Sequence, residues 1–194
     1  AGAGLLSGTL RAPACVLLCS SSELRHHQLA TMHDMQMSIR PLRDESEASY
    51  CARFLTASEP WLTLGFTFEQ AMQRLTHPAR DISVAMADEK IVGVLILDLS
   101  GLLNGYIQLL AVHPEWRGRG IGQQIVAWAE ERIFRQSPNV FLCVSSFNHR
   151  AQQFYSRLGY QRVGELPDLL VRGHSEILMR KTRGPLMAFK PVLK

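Results

Sequence analysis

Two arginines, Arg117 and Arg119, alternate with three glycines, Gly118, Gly120 and Gly122, in the stretch AVHPEWRGRGIGQQIVAWAEERI, residues 111–133. An apolar run enters this loop and an amphipathic run leaves it, so the loop sits between a strand and the start of a helix. Such a junction presents backbone N–H groups without intrahelical partners at the positive end of a helix dipole, where an anion binds. Glycine lets the backbone approach a ligand closely, and guanidinium groups match phosphate oxygens. The chemistry indicated is the binding of a phosphate or pyrophosphate.

Two familiar phosphate loops do not fit. A P-loop requires GxxxxGK[ST], and no lysine and hydroxyl pair follows these glycines. A dinucleotide fold requires GxGxxG, with a carboxylate closing the next strand about 20 positions on. Here the glycines alternate and the next strand ends CVSSF. A second constellation lies downstream in NHRAQQFYSRLGY, residues 148–160. Asn148 reads as a helix N-cap, and Gly159 as the C-terminal stop. Tyr155 shares a helix face with Ala151 and Leu158. Taken on its own, it reads as a core side chain.

The elements that position these residues alternate along the chain. MSIRPL (37–42) is a strand, and Asp44 with Glu47 forms a capping box for a helix to about residue 58. Thr67 with Gln70 repeats that signal for a helix through about residue 76, after a loop SEPWLTLG. DISVAMADEKIVGVLILDLSG reads as two strands joined at Asp88–Lys90, and GYIQLLAVHP as a third that leads into the glycine loop. The helix from Gly120 to about Gln136 puts Ile121, Ile125, Ala129 and Ile133 on one face, suited to a sheet. NVFLCVSSF, YQRVGEL and SEILMRK complete the strands. These elements predict an α/β fold with a mixed, largely antiparallel sheet and helices on its faces.

At 194 residues the chain suits one domain with tails. A formal charge of +4 without any block of basic residues argues against nucleic acid as a partner. The piece ACVLLCSS is too short to span a bilayer and makes a poor signal peptide. Residues 1–34 therefore read as a mobile leader or upstream extension, 35–184 as the domain and 185–194 as a C-terminal tail. Cys15, Cys19, Cys51 and Cys143 show neither zinc-ligand nor disulfide spacing. They fit free thiols in a cytoplasmic setting, and no metal is expected even near His26, His27 and His33.

LLAVHPEWRGRGIG is similar to the acetyl-CoA-binding motif of the GCN5-related N-acetyltransferases, the GNAT superfamily. Its pattern is Arg or Gln, two residues, Gly, one residue, then Gly or Ala, and Arg117, Gly120 and Gly122 fill these places. The stretch NHRAQQFYSRLGY resembles the second family motif through Asn148, Ala151, Tyr155, Gly159 and Tyr160. The likeness covers about residues 37–181.

The resemblance implies a fold in which two strands splay to form an acetyl-CoA cleft. It implies that Leu110, Ala111 and Val112 offer backbone groups to the pantetheine arm. Arg117, Gly118, Arg119, Gly120, Ile121 and Gly122 would wrap the pyrophosphate, with Asn148 near the cofactor. Tyr155 would be the catalytic donor to the leaving thiolate. The implied reaction is attack of a primary amine on the acetyl-CoA thioester, with no metal. The acceptor is a protein N-terminus, a lysine or a small-molecule amine, bordered by SEPWLTLG, with Trp61 as a wall, and by LPDLLVRGHS. N-terminal acetyltransferases of this family often carry Glu or His where Cys143 stands, five residues before Asn148. A thiol is a poor base there, which leaves Glu59, Asp98, His113 and His174 as candidates acting through water. The alternative function is a CoA-binding or acyl-CoA-binding sensor without turnover. A homodimer is compatible with the sequence, and a membrane or nucleic-acid partner is not expected.

Overall fold

Seven strands and four helices follow in the expected order across residues 37–191 apart from residue 102, the residues that the computed structural model describes. The expected leader, residues 1–34, lies outside them, as does the end of the tail. Strand β1 (Met37–Pro41) leads into helix α1 (Glu45–Thr56). The Asp44 carboxylate accepts the Glu47 N–H at 3.0 Å, as an N-cap should. The reciprocal half of the expected capping box does not form. The Glu47 carboxylate instead accepts both Arg40 Nη atoms, at 2.9 and 2.6 Å, and the Arg43 N–H. This bidentate pair fastens β1 to α1, and hydrogen bonding to Arg40 holds Glu47 below the usual carboxylate range.

Helix α2 (Phe68–Leu75) starts from a complete box: Thr67 N–H donates to Gln70 Oε1, and Gln70 N–H donates to Thr67 Oγ1. Strands β2 (Asp81–Ala87) and β3 (Lys90–Asp98) form a hairpin across Asp88 and Glu89, both at positive φ, a twist that suits flanking antiparallel strands. Strand β4 (Tyr106–Val112) passes through a 3-10 turn, Pro114–Trp116, into helix α3 (Ile121–Ile133). The remaining elements are β5 (Asn139–Ser145), α4 (His149–Arg157), β6 (Gln161–Pro167) and β7 (Ser175–Thr182).

The sheet order is β1-β2-β3-β4-β5-β7-β6, and β4 with β5 is its parallel pair. Helix α3 crosses over between these two strands, as a parallel connection requires. Helices α1 and α2 bury Ala48, Leu55 and Leu75 against Val84, Val94 and Ile96. Cys51 belongs to this layer, and burial pushes its thiol up to about 12, so it is an inert apolar filler. On the opposite side α3 buries the expected stripe, Ile121, Ile125, Ala129 and Ile133. Gly93 makes room for it: a Cβ there would meet Ile125 Cδ1 at 2.7 Å. No helix among the described residues is long and apolar enough to cross a membrane.

The pairing of β4 with β5 is short. Tyr106 opposes Phe141 and Ile107 opposes Leu142, and there the ladder ends. At its closed end the Phe141 N–H donates to the Gly105 carbonyl at 2.9 Å. Gly105 has φ +97°, and a Cβ on it would lie 2.4 Å from the Asn139 carbonyl oxygen and 2.5 Å from Ile133 Cγ2. Both the conformation and the approach demand glycine. Gly105→Ala should cost roughly 2 kcal/mol or more of stability, read as a lowered denaturant midpoint. An unchanged midpoint would show that the strands have slack here.

Candidate active site

Beyond Ile107 and Leu142 the facing edges of β4 and β5 diverge. Opposite residues on β3 and β4 include Gly93 with Val112 and Val94 with Ala111. The His113 N–H donates to Val92 O at 2.9 Å, so hydrogen-bonded pairs alternate from there. Ala111 therefore spends its backbone groups on β3, while those of Leu110 and Val112 point into the gap. On β5, the Ser146 N–H donates to Ser175 O. By the same alternation Cys143 and Ser145 turn their backbone groups toward the gap, where Gln152 Nε2 already donates to the Ser145 and Ser146 carbonyls. An opened parallel pair thus leaves amide edges that an extended amide-bearing ligand can complete.

On one side of the gap lies a cleft of about 400 Å³. Leu110, Ala111, Val112, Ile121 and Gly122 line it, with Asn148, Ala151 and Tyr155 from α4. Its mouth holds Arg117, Gly118 and Gly120. Gly118 and Gly120 have φ of +78° and +79°, and Gly120 is the N-cap of α3, so the loop's amides converge at the helix start. Arg117 is steadied by its Nε donating to Val112 O at 3.1 Å. Arg150 and Arg157, which the sequence did not single out, line the same cleft. Partial burial, and then the like charge of Arg150, lower the proton affinity of the Arg117 guanidinium, as in a cluster of cations gathered for an anion. Arg119 does not line the cleft; its guanidinium stacks 4.9 Å over the Trp116 ring. Asn148 Oδ1 accepts the Ala151 N–H at 3.1 Å, so its cap is formed. These free edges, converging amides and cations fit a phosphorylated, amide-bearing cofactor such as CoA.

On the other side lies a second cavity of about 300 Å³, and Pro60, Trp61, Leu110, Asn148, Ala151 and Tyr155 border both. Leu64, Leu142, Leu169 and Leu170 give it apolar walls; its polar groups include Arg74, Tyr106, Cys143 and Glu176. Glu176 is only 3% exposed and accepts from Ser145 Oγ at 2.7 Å across the β5–β7 pair. Burial raises its pKa, against the opposing pull of Ser145 and His174. Burial also raises the Cys143 thiol, which keeps it protonated and a poor base. Tyr155 sits against Phe154 and Tyr160 at ring separations of 5.0 and 5.5 Å, and burial raises its phenol, so it holds its proton at neutral pH.

Of the expected bases, Glu59 borders the first cleft and accepts the Thr63 N–H. Asp98 is engaged by Ser100 at the far end of β3. His113 stacks on Tyr50 and meets Phe54 edge-on, and His174 packs edge-on to Phe147. None of these four lines the second cavity, whereas Glu176 does. No group of three or more metal-ligating side chains occurs among the described residues.

Residues 40–160 match the model of the Acetyltransferase (GNAT) family. The chain is 36% identical over 110 residues to an uncharacterised N-acetyltransferase of Methanocaldococcus jannaschii, covering 54% of this chain and 70% of that protein. It is 32% identical over 94 residues to the aminoalkylphosphonate N-acetyltransferase of Salmonella typhimurium, covering 45% of this chain and 61% of the relative. Its fold matches an aminoglycoside 6'-N-acetyltransferase complexed with coenzyme A, with a TM-score of 0.60 at 18% identity over 76% of this chain and 98% of the other. The expected architecture, a mixed sheet with a cleft between splayed strands, is the observed one.

Gly120→Val forces a β-branched residue into a left-handed conformation and turns the amides aside. It should weaken CoA binding by about tenfold or more in calorimetric titration. Unaltered affinity would remove this loop from the anion site.

Proposed function

The chain belongs to the Acetyltransferase (GNAT) family, and on that premise we propose that it acetylates a small primary amine held in the cavity beneath Trp61, with Tyr155 and Glu176 handling the protons. As a family member it is an acyltransferase that uses acetyl-CoA. The observation that carries the finer reading is that Tyr155 borders both cavities where the two meet. A cavity of about 300 Å³ suits a small molecule, and the Salmonella typhimurium relative is named for a small amine.

Bound acetyl-CoA supplies an acetyl group already activated as a thioester. The free amides of Leu110 and Val112, the converging amides of residues 118–122 and the cations Arg117, Arg150 and Arg157 hold it. An amine reaches the cavity as an ammonium and must lose a proton before its nitrogen can attack. Glu176 accepts that proton, directly or through one water. Its raised pKa brings it nearer to neutral pH than an exposed carboxylate, which favours this exchange.

The nitrogen then bonds to the carbonyl carbon as the carbon–sulfur bond breaks. An N–H on the free edge of β4 donates to the carbonyl oxygen as it gains charge. The Tyr155 O–H hydrogen-bonds to the departing thiolate sulfur, and the nitrogen's surplus proton passes through solvent to that sulfur, so the products are the amide and the CoA thiol. Free thiols at Cys51 and Cys143 suit a reducing compartment, and we place the enzyme in the cytoplasm.

Tyr155→Phe should lower kcat by about 100-fold while acetyl-CoA affinity stays within about twofold; a matching loss of affinity would make the residue structural. Glu176 must be ionised to accept a proton, so kcat/KM should fall as pH drops through its raised pKa. Glu176→Gln should lower kcat/KM by about 100-fold and abolish that acid limb. Persistence of the limb in the variant would assign the base elsewhere.

A further inference from the structure

Arg74, on helix α2, lines the second cavity, yet no carboxylate or carbonyl pairs with it among the described residues. Its guanidinium lies 5.2 Å over the Phe66 ring, shares the cavity lining with the neutral Tyr106 phenol, and loses proton affinity to partial burial and then to the like charge of Arg80. Arg80 lies behind it: Arg74, Trp61, Leu64 and Leu170 border an adjoining cavity of about 510 Å³ that Arg80 also lines. The Arg80 Nη1 atom is buried without a hydrogen-bond partner among the described residues. A half-buried cation facing apolar walls with a like charge behind it costs free energy unless something negative completes it.

We propose that Arg74, backed by Arg80, binds an anionic group on the acceptor, so that the substrate is an amine carrying a carboxylate or similar oxyanion a few bonds from its nitrogen. This rests on the acetyl-transfer reading above and specifies its substrate class. The cavity is then bipolar. Glu176, set against Ser145, faces the ammonium end beside Tyr155, while Arg74 and the Tyr106 hydroxyl face the acid end. Trp61, Leu169 and Leu170 cover the carbon chain between. A polycationic acceptor would need several carboxylates here; the cavity offers Glu176 alone and opposes a second positive group with Arg74. A planar guanidinium recognises an oxyanion through two parallel hydrogen bonds, which makes the preference strong and dependent on geometry.

The test uses the full chain and release of CoA thiol from acetyl-CoA. The probes are glycine, β-alanine and 4-aminobutanoate, each compared with its methyl amide, with spermidine as the polycation. The expected result is a kcat/KM for at least one free acid about tenfold or more above that of its methyl amide, with spermidine poorest. Arg74→Gln should reduce that ratio to about twofold or less, Arg74→Lys should restore part of it, and Arg80→Gln should lower it by a smaller factor. Because the readout is a ratio between two substrates, a variant that is partly unfolded still reports it. Turnover that favours the methyl amides or spermidine, or an acid preference that Arg74→Gln leaves intact, overturns this inference and leaves acetyl transfer standing. Calorimetric binding of acetyl-CoA with no turnover of any probe overturns both.

Discussion

Two opposed residue pairs hold the parallel strands β4 and β5 together, and the gap on which the proposed site rests follows from how few they are. A backbone edge in a protein interior must find hydrogen-bond partners. Where the strands part, the N–H groups of Leu110 and Val112 find no partner on β5 among the described residues, the Val112 carbonyl takes the Arg117 Nε instead, and Gln152 Nε2 takes the Ser145 carbonyl across the gap. The protein holds the closed end by a single close approach at Gly105 and lets the open end diverge. The crossover helix α3 begins at the mouth of the gap, so the positive end of its dipole and the amides of its glycine loop stand where the gap widens. One topological feature thereby supplies both parts of the cofactor seat we propose, an edge for an amide-bearing arm and a helix start for its phosphates.

The two sides of the gap differ in charge, and that difference divides the chemistry. Toward the glycine loop three guanidinium groups, Arg117, Arg150 and Arg157, outnumber the single carboxylate of Glu59, and Arg117 and Arg150 gather despite their repulsion. Toward the loops around Trp61 and Leu170 the walls are apolar, with one buried carboxylate and one unpaired guanidinium. Tyr155 stands between them, its phenol kept protonated by burial. Burial raises the proton affinity of both groups: it keeps the hydroxyl hydrogen on Tyr155 at neutral pH and brings the Glu176 carboxylate nearer to neutral pH. Cys143 lines the second cavity, and Glu176 on the neighbouring strand supplies the carboxylate of that lining.

Local signals were legible in the sequence wherever local chemistry decides the outcome. The glycine loop declared itself because positive φ at Gly118 and Gly120 needs glycine, and Thr67 with Gln70 because a capping box is a four-residue device. The face of α3 was readable from period alone. Asp44 and Glu47 misled in part: a long-range partner, Arg40, captured the carboxylate that local spacing assigned to the cap. Glu176 and Arg74 were illegible for the same reason. One is a charged residue in an apolar strand whose meaning depends on Ser145, 31 positions earlier. The other is an ordinary helix arginine until the fold brings Tyr106 and Phe66 around it. Arg150 and Arg157 likewise join the glycine loop only because α4 closes that side of the gap.

In the reading proposed here the unpaired edge of β4 and the adjoining glycine loop form the cofactor seat. Residue-resolved amide hydrogen exchange of the full chain, with and without saturating acetyl-CoA, examines that seat. Exchange should slow at Leu110 and Val112 and across residues 118–122, with the β1–β2 edge unchanged. Protection confined to the larger concavity of about 870 Å³ between Pro41, Asp44, His77 and Ile82, or unchanged exchange at Leu110 and Val112 under saturation, would contradict that reading.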